Sequence, residues 1–142
     1  MLPEFLFQLY NIAILPAWLV LMIWPDKPWL KVMIQGVMVF LALSYLTFLV
    51  TSFVTAHQTP DFSSLSGLIL ALSGPWGMLT GWLHYLCFDL WVGFYLSGQA
   101  RQHGFPNALR ILVLFFVLMT GPFGWLIFHI IQSLRPPVSR QN

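Results

Sequence analysis

Two ionisable side chains interrupt a long apolar run of the sequence. His84 and Asp89 lie between Trp76 and Ser97, a stretch in which Asp89 is the only formally charged residue. A carboxylate near the middle of a membrane costs about 2.5–3.5 kcal/mol on insertion scales, so it usually faces a helix bundle and has a partner or a function. Histidine and a buried carboxyl group are also common proton donors and acceptors in catalysis. We therefore treat His84 and Asp89 as candidate catalytic residues.

The spacing of these residues places them on two faces of one helix. Five residues correspond to about 500° of helix rotation, which leaves the two side chains roughly 140° apart. The small residues Gly77 and Gly81 share the face of His84, and their spacing allows a neighbouring helix to come close. The other face carries Tyr85, Asp89 and Gly93. We expect this helix to pack on two sides, with a polar group on each.

Further polar positions are predicted near mid-membrane depth on the other helices, among them Asn11 and Tyr45. Pro122 removes a helix hydrogen bond and leaves the Leu118 carbonyl without its donor. A Gly-Pro step is more often a kink than a site, but here the free carbonyl would lie beside the helix of Asp89. The candidate ligand-binding residues are Asn11, Tyr45, Trp82, Tyr85, Gly93 and Pro122.

Other interpretations of the same residues stay open. Asp89 could be protonated or hydrogen-bonded and simply hold helices together, or it could serve in ion or proton conduction. Haem ligation by His84 and His129 is disfavoured, because their predicted depths differ by roughly 9 Å. No His, Cys or Asp cluster has the spacing of zinc ligands. We expect neither a metal nor a cofactor.

Composition indicates which solvent surrounds these elements. The 142 residues are 58% hydrophobic and only 7% charged, whereas soluble domains carry roughly a quarter charged residues. Ten charged side chains are too few to coat a water-soluble protein of this size, so lipid is the expected solvent and partner. The net charge of +2 forms no basic stripe, which argues against nucleic acid as a partner.

Four apolar runs are long enough to cross about 30 Å of hydrocarbon. We therefore predict an all-α membrane protein, a single domain over residues 1–142 in which four transmembrane helices form a compact bundle. A shorter apolar piece from Leu65 to Leu72 predicts an interfacial or re-entrant helix before the third span, and residues 135–142 should be a disordered tail. The predicted spans are residues 5–24, 32–54, 76–97 and 111–131.

The basic residues favour one orientation. With four spans, the loops 24–31 and 98–110 share one side and carry four basic residues, while both termini share the other side with two. The positive-inside rule places the two loops in the cytoplasm. Because the N-terminal region resembles neither a signal peptide nor a transit peptide, we expect a multi-pass protein of a bacterial inner membrane.

The helix of His84 and Asp89 also carries a family resemblance. The stretch from Gly81 to Gly93 contains Trp-x-His-x(4)-Asp, and it is followed by Gly104-Phe105-Pro106 and by Thr120-Gly121-Pro122-Phe123-Gly124. Together these motifs resemble the neoxanthin-synthase-like family of membrane proteins, which is known through abscisic acid deficiency in plants and has many bacterial relatives. The resemblance covers most of the chain and is strongest from Gly81 to Ile131.

The resemblance implies a four-helix membrane fold and, for the plant members, conversion of an epoxy-carotenoid into an allenic carotenoid without an obvious cofactor. That reaction needs an acid at the epoxide oxygen and a base at a neighbouring carbon, which His84 and Asp89 would supply. We therefore expect a cofactor-free isomerase acting on a carotenoid or related isoprenoid lipid. The alternative is a non-catalytic pigment-binding or accessory subunit of a larger membrane complex.

Overall fold

The computed structural model describes residues 2–55 and 61–135, and six α-helices make up nearly all of them. This confirms the predicted all-α class. The short helix expected before the third span is present as α3, one residue longer than predicted. In chain order the helices are α1 (Leu2–Ile23), α2 (Trp29–Thr55), α3 (Leu65–Ser73), α4 (Pro75–Gln102), α5 (Asn107–Thr120) and α6 (Pro122–Leu134).

The helices form two compact units. Unit 1 comprises Met1–Pro16 and Gln35–Cys87, and unit 2 comprises Ala17–Ile34 and Phe88–Asn142. The helices α1, α2 and α4 each contribute residues to both units, whereas α3 belongs to unit 1 and α5 and α6 belong to unit 2. The single bundle predicted over residues 1–142 stays a prediction.

Two helices, α1 and α2, are long and apolar enough to cross a membrane. They have 22 and 27 residues, and only 28% and 17% of their most apolar windows are buried inside the protein. A core helix of a soluble protein would bury most of such a window, so the outward-facing apolar side chains favour lipid as the surrounding solvent. The helix α4 has 28 residues but is too polar to meet the same criterion of length and composition.

Hydroxyl groups on α2 are bonded within the helix itself. The side chains of Ser44, Thr47, Thr51 and Thr55 donate to the carbonyl four residues earlier, at 2.8–2.9 Å. A hydroxyl group that faces hydrocarbon has no water partner, so this internal bond removes the cost of an unmade one. The helix can therefore carry these four hydroxyl groups and still present an apolar exterior.

A capped turn begins α3. The hydroxyl of Ser64 accepts a hydrogen bond from the backbone N–H of Gly67 at 3.1 Å, which satisfies one of the free donors of the first turn. The carboxylate of Asp61 accepts from the Ser63 hydroxyl, the Ser63 backbone N–H and the Ser64 hydroxyl. These bonds favour the ionised form and lower the pKa of Asp61 below its usual value.

The fourth predicted span, residues 111–131, is not one continuous helix. The structure divides this region into α5, with 14 residues, and α6, with 13 residues. Their lengths are about 21 and 20 Å, short of the roughly 30 Å of a hydrocarbon core. The first three predicted spans correspond to α1, α2 and α4. Of the predicted tail, only Arg135 lies within the described residues.

The helices α5 and α6 form an antiparallel hairpin. Gln132, near the end of α6, is 2.7 Å from the ring of His103, in the loop before α5. The rings of Phe105 and Phe128 stack at 5.2 Å between centroids. The guanidinium of Arg135 lies 4.9 Å from the centre of the Phe105 ring. The end of α6 therefore returns to the segment from which α5 started.

A glycine in an unusual conformation makes the reversal possible. Gly121 has a φ of +51°, donates its N–H to the Val117 carbonyl and is followed by Pro122 at the first position of α6. A side chain is strained at such a φ, whereas glycine is not. Gly124 lies directly against Val117, leaving no room for a Cβ. The apolar composition of 111–131 is continuous, but the backbone reverses where we expected only a kink.

A buried arginine connects α5 to the end of α1. Arg110 is 1% exposed, and its guanidinium donates to the carbonyls of Leu21 and Met22, at 3.0 and 2.7 Å, and to the Ser97 hydroxyl at 3.2 Å. The last carbonyls of a helix lack partners within the helix and carry partial negative charge. Arg110 satisfies two of them and so holds three helices of unit 2 together.

Replacing Gly121 by alanine should destabilise the protein. The new Cβ would be held at a positive φ and would lie 2.5 Å from a carboxylate oxygen of Asp89, so we expect a loss of about 1–3 kcal/mol in the free energy of unfolding. Gly98→Ala is the matched control, because a Cβ at Gly98, also in unit 2, meets no atom within 4 Å. Thermal unfolding in mild detergent should show a lower Tm for Gly121→Ala only. Equal Tm values would contradict the strained turn.

Candidate functional site

An apolar groove in unit 1 lies between α2, α3 and α4 and has a volume of about 340 Å³. Apolar side chains of all three helices and Phe62, just before α3, form most of its wall. Pockets for small lipophilic molecules are usually of this kind, mainly apolar with a few well-placed polar groups. The polar side chains in the wall are Tyr45, Ser52, Thr80 and His84.

Two glycines allow α3 to lie close to α4. A Cβ on Gly77 would overlap the carbonyl oxygen of Ala71, and one on Gly81 would lie 3.4 Å from the side chain of Leu72. This confirms the expectation that the Gly77–Gly81 spacing admits a neighbouring helix, which proves to be the short α3. The close approach completes the groove on the face of α4 that carries His84.

His84 and Tyr45 are neighbours in the groove wall. Their ring centroids are 5.7 Å apart with planes inclined by 57°, and the His84 side chain is exposed while Tyr45 is half-buried. The nearby Thr80 is buried, and its hydroxyl donates to the Trp76 carbonyl at 2.8 Å. An imidazole and a phenol, both able to exchange protons, therefore line the same apolar space.

Three other predicted ligand-binding residues form a separate cluster in unit 1. The indole N–H of Trp82 donates to the Asn11 side-chain oxygen at 2.8 Å, and the Trp82 ring lies 5.2 Å from Tyr85 and 5.3 Å from Phe7. The groove wall contains none of the side chains of Phe7, Asn11, Trp82 and Tyr85. This cluster, the Trp82 clamp, connects α4 to α1 through a specific bond and aromatic packing.

The remaining predicted site residues lie in unit 2. Asp89 is 7% exposed and packs against Gly121, the residue that precedes Pro122. The ring of Trp18 occupies the space beside Gly93, where a Cβ would be 2.5 Å from it. Asp89 is not among the residues that line the groove. Of the two predicted catalytic residues, only His84 contributes to the groove, and the role of each stays a prediction.

Within residues 2–55 and 61–135, no three His, Cys, Asp or Glu side chains are grouped closely enough to hold a metal ion.

Some groove residues were not predicted from the sequence. Thr80 follows Gly77 by three residues and precedes His84 by four, so the helical period of that face could have indicated it. Ser52 and Phe62 gave no such signal, because they belong to other elements. Their contribution depends on how α3 packs against α2 and α4.

A comparison with protein families agrees with the resemblance inferred from the motifs. The model of the ABA DEFICIENT 4-like family matches residues 5–128. The chain belongs to this family. No curated protein and no solved structure matches the chain. The matched region of this ABA DEFICIENT 4-like protein includes the groove, the Trp82 clamp and the turn at Gly121.

Removal of the Trp82 indole N–H should weaken unit 1. Trp82→Phe keeps an aromatic ring but leaves the half-buried oxygen of Asn11 without its donor, which should cost about 1–3 kcal/mol. Trp91→Phe is the control, since Trp91 is on the same helix, is 52% exposed and stacks with Tyr95. Chemical unfolding in detergent measures the free energy of unfolding of both variants. A Trp82→Phe variant as stable as Trp91→Phe would show that the bond to Asn11 contributes nothing.

Proposed function

We propose that this protein binds one end of a carotenoid or related isoprenoid lipid in the groove between α2, α3 and α4, and that it isomerises this lipid without a cofactor. The observation that carries the proposal is the position of His84, beside Tyr45 in the wall of an apolar groove. Membership of the ABA DEFICIENT 4-like family supports the class of substrate. The polyene chain would extend from the groove into the bilayer.

The proposed reaction needs only proton transfers. An acid gives a proton to the oxygen of a ring epoxide as the carbon–oxygen bond breaks, and a base removes a proton from a neighbouring carbon, where the new double bond forms. The product has the same atoms as the substrate, so neither an oxidant nor a reductant is required. In the groove, His84 is the proposed acid or base and Tyr45 is the residue next to it.

The surroundings of Asp89 differ from those of His84. It follows His84 by five residues on α4, but it packs against the turn at Gly121 in unit 2. Because Asp89 does not line the groove in which the substrate end is proposed to bind, the catalytic role predicted for it is tested separately. A purely structural role would leave turnover unchanged in Asp89→Asn, because the amide keeps the size of the carboxyl group and can still form hydrogen bonds.

The alternative function is pigment binding without turnover, as a subunit of a larger membrane complex. The contact between Asp89 and Gly121 favours it, because that contact already gives the carboxylate a structural role. The outward apolar face of α2, of which little is buried, would suit a partner subunit as well as lipid. The experiments below separate ligand binding from chemistry.

The structure also changes the proposed arrangement in the membrane. We propose that α1, α2 and α4 span the bilayer and that the α5–α6 hairpin enters and leaves on one side. The C-terminus then lies on the side of loops 24–31 and 98–110, instead of opposite them. All six basic residues fall in or next to the segments on that side: Lys27, Lys31, Arg101, Arg110, Arg135 and Arg140. This distribution supports a cytoplasmic location for that side of a bacterial inner membrane.

Substitution of His84 tests the catalytic proposal. His84→Gln keeps a polar side chain but cannot titrate, so turnover should fall roughly 10²–10⁴-fold while the ligand still co-purifies. His129→Gln is the control, since His129 belongs to unit 2, does not line the groove and packs against Trp125. Chromatography of pigments from cells that accumulate an epoxy-carotenoid measures turnover. Mass analysis of the protein purified in mild detergent measures ligand occupancy.

The outcomes separate the two functions. Loss of isomerised pigment with retained ligand in His84→Gln alone supports the enzyme. Retained ligand with no isomerised pigment even in the wild type supports the pigment-binding subunit. Absence of any isoprenoid in the purified wild-type protein contradicts both. For Asp89→Asn, lost turnover supports its catalytic role, whereas unchanged pigments with a raised Tm assign it to packing.

Cysteine labelling in intact cells tests the arrangement in the membrane. In a Cys87→Ser background, single cysteines at Lys27, His103 and Leu134 should react with an impermeant reagent from the same side, and a cysteine at Asp61 should react from the other. We expect Leu134 and His103 to react from the same side because the hairpin brings the end of α6 back to residues 103–105. A cysteine at Leu134 that groups with Asp61 would restore the fourth span and contradict the re-entrant hairpin.

A further inference from the structure

A second cavity lies in unit 2, formed by the α1–α2 loop, the start of α2 and the last turns of α4. Its volume is about 410 Å³. Three basic side chains line it, Lys27 from the loop, Lys31 from the first turn of α2 and Arg101 from the last turn of α4. Asp26 is the acidic residue in its wall. None of these residues takes part in the groove or in the proposed reaction.

The charges in this cavity are only partly compensated. Arg101 forms an ion pair with Asp26 and donates to the Pro25 carbonyl at 2.8 Å, so it fastens the loop to α4. Among the described residues, Lys27 and Lys31 form no ion pair with any carboxylate. The wall therefore keeps a surplus of two positive charges. An anion in the cavity would meet both ammonium groups and the guanidinium of Arg101.

The rest of the wall is suited to an amphiphile. Leu21 and Leu30 are buried behind the apolar part of the wall, Phe94 is half-buried, and Tyr95 is 48% exposed. Exposed Trp24 and Trp29 flank the same loop, and such aromatic residues favour the level of lipid headgroups. The cavity thus combines cations with an adjoining apolar surface at the ends of three proposed spans.

We propose that this cavity binds the phosphate headgroup of an anionic phospholipid. Basic pockets between membrane helices on the cytoplasmic side are suited to anionic headgroups, and the volume is within the range of small-molecule sites. Lys27 and Lys31 contact the phosphate, Arg101 holds the loop in place, and the first carbons of the acyl chains lie along Phe94 and Tyr95. This inference is independent of the substrate proposed for the groove.

Lipid binding to the full-length protein in detergent tests the site. Native mass spectrometry compares phosphatidylglycerol with phosphatidylcholine of the same acyl chains. The wild type should bind one phosphatidylglycerol in preference to phosphatidylcholine. Each of Lys27→Gln and Lys31→Gln should weaken phosphatidylglycerol binding roughly fivefold, and the double variant more. Binding of phosphatidylcholine should not change.

Two controls distinguish the site from a general effect of charge. Arg135→Gln removes a basic residue of the same unit that does not line the cavity and should change phosphatidylglycerol binding less than twofold. The double replacement of both lysines by arginine keeps the charge and should keep the affinity. Thermal unfolding should give the same Tm for the lysine variants as for the wild type, since both side chains are exposed.

Three results would overturn the proposal. The first is equal affinity of the wild type for the two lipids. The second is unchanged phosphatidylglycerol binding in the double glutamine variant. The third is displacement of phosphatidylglycerol by an equal concentration of inorganic phosphate, which would assign the cavity to a soluble phosphate ester instead of a lipid.

Discussion

The reversal of the chain at Gly121 is the constraint on which the arrangement of unit 2 depends. Only a residue without a Cβ takes up a φ of +51° without strain while the Asp89 carboxylate lies against it. The reversal sends α6 back along α5, which brings Gln132 to His103 and Arg135 to Phe105. One backbone conformation thus changes a predicted fourth span into a hairpin and returns Arg135 to the segment from which α5 starts.

The two halves of α4 have different surroundings. Its first half carries Gly77, Gly81 and His84 toward the groove, where α3 lies against the glycines. Its second half carries Asp89 toward the hairpin turn and Arg101 toward the α1–α2 loop. The polar residues that make α4 less apolar than α1 or α2 therefore each have a position in packing or in a cavity wall, as expected for costly groups in a lipid-facing protein.

Much of the fold and of the candidate site could be predicted from the sequence alone. The low charge content and the long apolar runs indicated lipid-facing helices, and the short apolar piece from Leu65 to Leu72 predicted a short helix before the third span. The periodicity of α4 placed His84 and Asp89 on different faces, in agreement with their separate surroundings. The motifs around Trp82 and Gly121 identified the family, which the match over residues 5–128 confirms. These features are local in sequence, so local physical rules suffice for them.

The sequence by itself determined the helical class, the family and the candidate site residues of α4, because composition and helical period are properties of single segments. Tertiary structure alone decided that residues 111–131 form a hairpin, since a kink and a reversal differ only in the φ and ψ of Gly121 and in what packs against it. It also decided that Tyr45 joins His84 in the groove whereas Asn11 bonds to Trp82. Such pairings depend on how distant helices meet, and no spacing within one segment encodes that geometry.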